Sequence, residues 1–396
     1  MRKYFILLLP LLVFTSCNKV SSSEFSSEPK ESVTSEVSES STSEQEESSV
    51  SDVPASSEIS TEQPISTEPE KELSVSLYKN PVIPTNFPDP SVVRHDGYFY
   101  VYATGARAAK SADLVNWELL GDMLETRPTW GAFLAGVWAP EVKKIGDQYV
   151  MYYSLSVWDD TNPGIGIATS PHPAGPWTDH GKFFTSLEIG VNNSIDAVAH
   201  VDDDGRVYLI WGSFRGIYGI ELTADGLDFK DGSVEAAAEN KVLLAGFETS
   251  RPLEVNTYEA PYILQKDGYY YMFLSNGQCC SGSYSYNIRV GRSTSILGVY
   301  KDKEGRDLRG SDVGTYVVYA GAGFVATGHN SVVQDDAGDY WMLYHAYVGE
   351  SRSARVMLLD KLLWDDENFP HTLGYTPSNN RKPGPALYLP DDYENN

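Results

Sequence analysis

The sequence predicts an all-β, five-bladed β-propeller, and three observations carry that prediction. One hairpin pattern recurs five times, helical periodicity is nearly absent, and the strand-like runs are dense in Tyr, Trp and Phe. The copies read "PDPSVVRHDGYFYVYATG" (88–105), "WAPEVKKIGDQYVMYYSLS" (138–156), "SIDAVAHVDDDGRVYLIWGS" (194–213), "YEAPYILQKDGYYYMFLS" (258–275) and "GHNSVVQDDAGDYWMLYHAY" (328–347). Each has a polar head, a short apolar strand, an Asp/Gly turn and an aromatic-rich strand. Asp and Gly tolerate the positive φ of tight hairpins. Further strand-like runs such as "GIGIATS" and "NIRVGRS" lie between the copies, and "SVEAAAENKVL" is the best helical candidate. Repeats of several strands each are propeller-like, and five copies imply five blades.

Ahead of the repeats the chain changes character twice. "MRKYFILLLPLLVFTSC" has two basic residues, an apolar run too short for a permanent membrane span, and small residues before Cys17. It resembles a bacterial lipobox and predicts residues 1–16 as a lipoprotein signal peptide. Cys17 would then carry lipid, whose chains partition by about 0.8 kcal/mol per buried CH₂. Residues 17–74 are rich in Ser, Glu, Thr and Pro, and the stretch from Asn18 to Glu72 carries fourteen acids against three lysines. Such a segment buries too little apolar surface to offset its ordering entropy and is expected to be a disordered acidic tether. Residues 75–396 are expected to form the propeller.

The net charge of −25 argues against nucleic acid, and leaves the lipid anchor as the expected link to a membrane. Apart from Cys17 the only cysteines are Cys279 and Cys280. A bond between neighbours closes a strained small ring and is not the default expectation, even in an oxidising compartment. No zinc-ligand spacing surrounds them.

The propeller reading brings the polar heads of all five repeats to one mouth of the central channel. Three heads carry carboxylates, Asp89, Asp196 and Glu259. The second carries Trp138 and Glu141, and the fifth His329. Acids around a funnel are what glycoside hydrolysis requires. One protonates the leaving oxygen, another activates water or attacks the anomeric carbon, and like charges in a low-dielectric cavity raise at least one pKa. Singly, an Asp at a strand start is often a turn residue. Three acids at equivalent places in a repeat favour catalysis. "DDDG" (202–205) and "DDAGD" (335–339) fall at hairpin turns and read as solvated loops rather than calcium loops.

These residues resemble glycoside hydrolase family 43, the five-bladed arabinanases, arabinofuranosidases and xylosidases, over about Asn80 to Pro377. "NPVIPTNFPDPSVVRHDGYFYVYAT" looks like the family's first blade, "NNSIDAVAHVDDDGRVYLIWGSF" like its third, and "YEAPYI" like its general-acid motif. The resemblance implies Asp89 as general base, Glu259 as general acid and Asp196 as the acid that tunes pKa, with inversion of configuration. "NPGIGIATS", "WGSFRGIYGIELT", "CCSGSYSYNIRVGRSTSILGVYKDKEG", "GHNSV" and "LLWDDENFPHTLGYTPS" look most like the endo-arabinanases. By that similarity Asn193 and Ser213 contact the sugar beside the scissile bond, and Trp138 and Trp158 stack on neighbouring sugars. His329 would hold an axial calcium (or sodium) ion, mostly through waters, and no organic cofactor is expected. Pro88 stands where many arabinanases have His, and Ala197 where Pro is common. The expectation is an exported, lipid-anchored monomer that cuts α-1,5-linked arabinan of plant cell walls, or arabino-oligosaccharides, internally. Two alternatives stand beside it. One is an exo-acting α-L-arabinofuranosidase or β-xylosidase of the same family. The other is a non-catalytic surface glycan-binding propeller, which would keep the aromatics without needing three acids.

Overall fold

The computed structural model describes residues 71–246, 258–280, 285–349 and 353–393. The expected signal peptide, Cys17 and nearly all of the tether lie outside them. After a lead-in strand β1 (Ser74–Tyr78), the chain forms five antiparallel sheets in succession. Blade I holds β2 (Ser91–His95), β3 (Tyr98–Ala103), β4 (Arg107–Ser111) and β5 (Glu118–Asp122). Blade II holds β6 (Gly136–Ile145), β7 (Gln148–Ser156), β8 (Gly164–Ser170) and β9 (Thr178–Thr185). Blade III holds β10 (Val198–Val201), β11 (Val207–Trp211), β12 (Ile217–Leu222) and β13 (Val242–Ala245). Blade IV holds β14 (Tyr258–Lys266), β15 (Tyr269–Asn276), β16 (Asn287–Ser293) and β17 (Thr315–Val318). Blade V has three strands, β18 (Phe324–Gln334), β19 (Tyr340–Val348) and β20 (Arg355–Lys361). The first strands of adjacent blades pack on one another, β2 on β6, β6 on β10, β10 on β14, β14 on β18 and β18 on β2. That closed ring is the five-bladed propeller the repeats predict.

The strands read as apolar runs because both faces of each blade are covered. In β11, Val207, Leu209 and Trp211 pack with blade II, while Tyr208 and Ile210 pack with blade IV. In β7, Tyr149, Met151, Tyr153 and Leu155 face blade I, and Val150 and Tyr152 face blade III. The period of two therefore selects which neighbour a side chain meets, not core against solvent. The apolar core is divided among five clusters, one between each pair of adjacent blades.

The turns follow the sequence reading. Asp96-Gly97 and Asp267-Gly268 both take positive φ, as two-residue hairpin turns require. The helical candidate forms α1 (Val234–Asn240), capped where the Ser233 hydroxyl accepts the Ala236 N–H at 3.2 Å. "DDAGD" is a turn whose tip, Ala337 and Gly338, is exposed, but its first residue is not solvated. Asp335 is buried, and its carboxylate accepts the N–H groups of Ala337, Asp339 and Ala386 and the Trp341 indole N–H. Blade V is completed from the opposite end of the domain. Ile83 bridges to Met357 on β20, and the Asn80 side chain clasps both backbone groups of Leu359 at 3.0 and 2.8 Å. Strands β21 (Leu363–Trp364) and β22 (Pro370–His371) pair with each other, and β23 (Lys382–Leu387) pairs with β1.

Candidate active site

One residue at the head of each blade's first strand has a left-handed backbone. These are Asp89 (φ 62°), Ala139 (39°), Asp196 (57°), Ala260 (52°) and His329 (49°). A β-carbon makes this conformation cost about 1–2 kcal/mol, so the surrounding structure must hold it. In blades II, IV and V the ladder bulges there, with register breaks between Trp138 and Glu141, Glu259 and Tyr262, and Gly328 and Ser331. The kink frees a backbone N–H, which a side chain of the preceding blade takes. Ala139 donates to Thr104 Oγ1 (2.8 Å), Asp196 to Ser154 Oγ (2.9 Å), His329 to Ser275 Oγ (2.8 Å) and Asp89 to His345 Nδ1 (3.2 Å).

Blade III breaks this pattern in a useful way. Its residue at the clasp position is Gly212, whose N–H meets Ile195 O at 3.0 Å. A β-carbon there would fall 2.2 Å from Gly216 O, so no hydroxyl side chain fits. The Ala260 N–H is instead accepted by the Asp196 carboxylate. Asp196 thus serves as the interblade clasp and is fixed beside Glu259. The same alignment corrects one expectation. Asp89 and Asp196 occupy the left-handed position, but Glu259 stands one residue before it, where the other blades have Pro88, Trp138, Ile195 and Gly328. Trp138 and Ile195, at the same position as Glu259, also line the cleft, so both positions of the blade head face the mouth.

The three acids are buried and converge on one cleft of about 760 Å³, lined also by Thr104, Trp138, Trp158, Asn193, Ser213, Tyr286, His329 and Arg355. That volume suits a small-ligand site. A second hollow of about 580 Å³ at the turn ends of blades II and III, around Gly146, Asp147 and Asp225, holds no such cluster of acids.

Burial opposes ionisation of Asp89, but cationic and hydrogen-bonding neighbours outweigh it. Arg355 donates to its Oδ1 at 2.9 Å, His345 Nδ1 stands 3.1 Å and His329 Nδ1 3.5 Å from the same oxygen, and Thr104 donates to Oδ2 at 2.6 Å. The Asp89 carboxyl is held well below the usual range. Glu259 goes the other way. Desolvation and the Asp89 charge push it up, against hydrogen bonds from Ser213 (2.7 Å to Oε2) and Tyr286 and the more distant Arg355. Asp196 is pushed up further by burial, Glu259 and Asp89. One carboxyl is therefore biased toward the ionised form and its neighbours toward the protonated form, the kind of separation that acid and base roles demand.

Asn193 donates to Ser213 Oγ at 2.9 Å, and Ser213 donates to Glu259. These two residues, expected at the sugar, form a chain that orients the carboxyl at 259. The Trp138 and Trp158 rings lie 5.4 Å apart at 50°, with Trp158 72% exposed at the rim. Glu141, two residues past its strand's left-handed head, is pushed up to about 7 by desolvation despite a Ser91 hydrogen bond. Burial pushes the His329 imidazole down to about 4, so it is neutral at pH 7. Cys279 and Cys280 also line the cleft and are joined to each other, against the sequence expectation.

Sequence reasoning missed Arg355, His345, Thr104 and Tyr286. Tyr286 bonds the Glu259 carboxyl, and its ring stacks on His345 with centroids 5.8 Å apart. It fits only because residue 328 is glycine, where a β-carbon would lie 1.8 Å from the ring. The His in "YWMLYHAY" occupies the clasp position of its repeat, a signal that an alignment of second-strand ends would have exposed. Replacing Arg355 by Met should raise the Asp89 pKa. The acidic limb of kcat/KM would then move to higher pH by roughly 1–3 units. A pH–rate profile of the variant checks this, and an unmoved limb would remove Arg355 from the account.

The comparisons agree with the geometry. Residues 78–370 match the family model of Glycosyl hydrolases family 43. The chain is 32% identical over 300 residues to an extracellular exo-α-(1→5)-L-arabinofuranosidase of Cellvibrio japonicus, covering 71% of this chain and 85% of that one. It is 29% identical over 291 residues to an extracellular endo-α-(1→5)-L-arabinanase of Bacillus subtilis, covering 70% and 84%. Among solved structures, an α-L-arabinanase of Cellvibrio cellulosa complexed with arabinohexaose superposes with TM-score 0.65 at 29% identity, covering 73% of this chain and 96% of that one. A ring of five blades, three buried acids at one mouth and a family match across nearly the whole propeller lead to one conclusion: this chain belongs to glycosyl hydrolase family 43.

Proposed function

We propose that the protein hydrolyses α-1,5-linked arabinan internally, with inversion. Asp89 is the general base, Glu259 the general acid and Asp196 the neighbouring pKa modulator. The observation that carries this reading is the opposite bias of the carboxyls, Asp89 held ionised by Arg355 and Glu259 pushed up in the same cleft. Water held at Asp89 loses its proton to the carboxylate as it attacks the anomeric carbon. Glu259 gives its proton to the leaving oxygen, so the charges balance across the step. The exposed Trp158 beside Trp138 extends an apolar surface outward from the acids, where further sugars of a continuous chain would lie. The resemblance to the Cellvibrio japonicus enzyme supports exo action as the second reading.

His329 fits the role of holding a channel cation. Its imidazole is neutral, and both side-chain polar atoms of the adjacent Asn330 are buried with no partner among the described residues. No group of three or more His, Cys, Asp or Glu side chains among them forms a metal cage, so most ligands of the ion would be waters. The ion, calcium or sodium, would supply positive charge to the channel. Export and anchoring through a lipidated Cys17 complete the proposal. The extracellular relatives support export, and the lipobox-like sequence supports the anchor.

The deciding experiment is a time course on linear arabinan by chromatography, with proton NMR of the first product. A ladder of oligosaccharides with inverted configuration is expected. One small product from the outset gives the exo reading, retained configuration overturns the mechanism, and no hydrolysis overturns the substrate.

A further inference from the structure

We propose that the bonded pair Cys279–Cys280 is a sugar-contacting wall of the cleft, packing on the C–H face of a glycosyl unit on the acid's side of the scissile bond; this rests on the glycosidase reading above. The β-ladder sets its place. Ser275 lies opposite Glu259 and Asn276 opposite Tyr258, so the chain running past Asn276 rises from the same hairpin that carries the acid. The base of this connection is tightly clasped. Gly277 takes φ 95°, and a β-carbon there would fall 2.6 Å from Ser285 O. The Gln278 N–H donates to Ser285 Oγ at 3.2 Å, and the Asn287 amide donates to Asn276 O at 3.1 Å and Ser285 O at 2.8 Å. From this base the two cysteines line the cleft that holds Asp89, Asp196 and Glu259.

A disulfide between neighbours is a poor staple. The usual stabilisation comes from closing a long loop in the unfolded chain, and here almost no chain is enclosed. What the bond changes is local. It replaces two thiol donors by a fixed, polarisable, donor-free surface of sulfur and CH₂ groups. Such a surface suits the apolar face of a sugar, as Trp138 and Trp158 do from blade II. Because the ring is rigid, contact with it costs little side-chain entropy.

The test compares oxidised protein, protein treated with dithiothreitol, and the double variant Cys279→Ser/Cys280→Ser, with free thiols titrated in each. Reduction moves two electrons and two protons from the dithiol to the cysteines, leaving two thiols and a cyclic disulfide of the reagent. On linear arabino-oligosaccharides, KM should rise roughly three- to tenfold on reduction and in the double variant, the size of one lost stacking contact. The kcat should stay within about twofold, and dithiothreitol should not alter the double variant. Equal KM in all three samples overturns the proposal, as does a fall in kcat alone, which marks a structural role. Oxidised protein that cuts no arabinan sinks the proposed function separately. The wall is then read from calorimetric titration of arabinohexaose into the same samples, where weaker binding after reduction supports it and equal affinities overturn it.

Discussion

Glu259→Gln is expected to lower kcat on linear arabinan by about 10²–10⁴, the usual contribution of a positioned general acid. Gln keeps the size of the side chain and an acceptor for the Ser213 hydroxyl, which Asn193 holds in turn. The loss should therefore report the missing proton rather than a collapsed site. Two further readouts separate these causes. A 4-nitrophenyl arabino-oligoside, whose leaving group needs no protonation, should be cut by the variant nearly as well as by wild type. The pH profile should also change in a defined direction. As the proposed general acid Glu259 would act while protonated, and its pKa is raised, so wild-type activity should persist at low pH and fall as pH rises through that raised value. The variant should lose this alkaline limb. Equal losses on both substrates would remove Glu259 from the acid role.

Asp89→Asn is expected to lower kcat by a similar about 10²–10⁴-fold, because attacking water loses its base. As the proposed general base Asp89 would act while ionised, and it is held well below the usual carboxylate range, so the wild-type acidic limb should lie below that range. Added azide needs no deprotonation and should restore turnover in the variant. The product should be the arabinosyl azide of inverted configuration. An azide product of retained configuration would identify a covalent intermediate and overturn the inverting mechanism. Near-normal turnover without azide would remove Asp89 as base. Neutralising the Asp89 charge also removes one of the influences that raise Asp196 and Glu259. The alkaline limb of the variant should therefore shift to lower pH.

Much of the architecture was legible because its signals are local. Asp96-Gly97 and Asp267-Gly268 announce their hairpins through the backbone freedom of two adjacent residues. The apolar runs of β7 and β11 announce strands covered on both faces. Other features were hidden because they depend on residues far apart in the chain. Asp335 read as a solvated turn residue, since nothing near it shows that Trp341 and Ala386 would enclose it. The bond between Cys279 and Cys280 was not the default expectation, because adjacency in the chain does not show that the two side chains meet.

The number of blades and the gathering of the polar heads at one mouth were readable from a hairpin pattern repeated along the chain, which made Asp89, Asp196 and Glu259 the candidate acids. How those acids differ depends on the folded ring. It brought Glu259, one residue before the left-handed position that Asp89 and Asp196 occupy, into the same cleft. It made Asp196 the clasp for Ala260 because Gly212 has no side chain. It also brought Arg355 and His345, 266 and 256 residues away along the chain, onto Asp89. The reason is physical. Backbone conformation is fixed largely by adjacent residues, whereas the energy of a buried charge depends on distance in space and on the water excluded around it. Which of three buried carboxyls gives up its proton is therefore settled only when the ring of blades has closed.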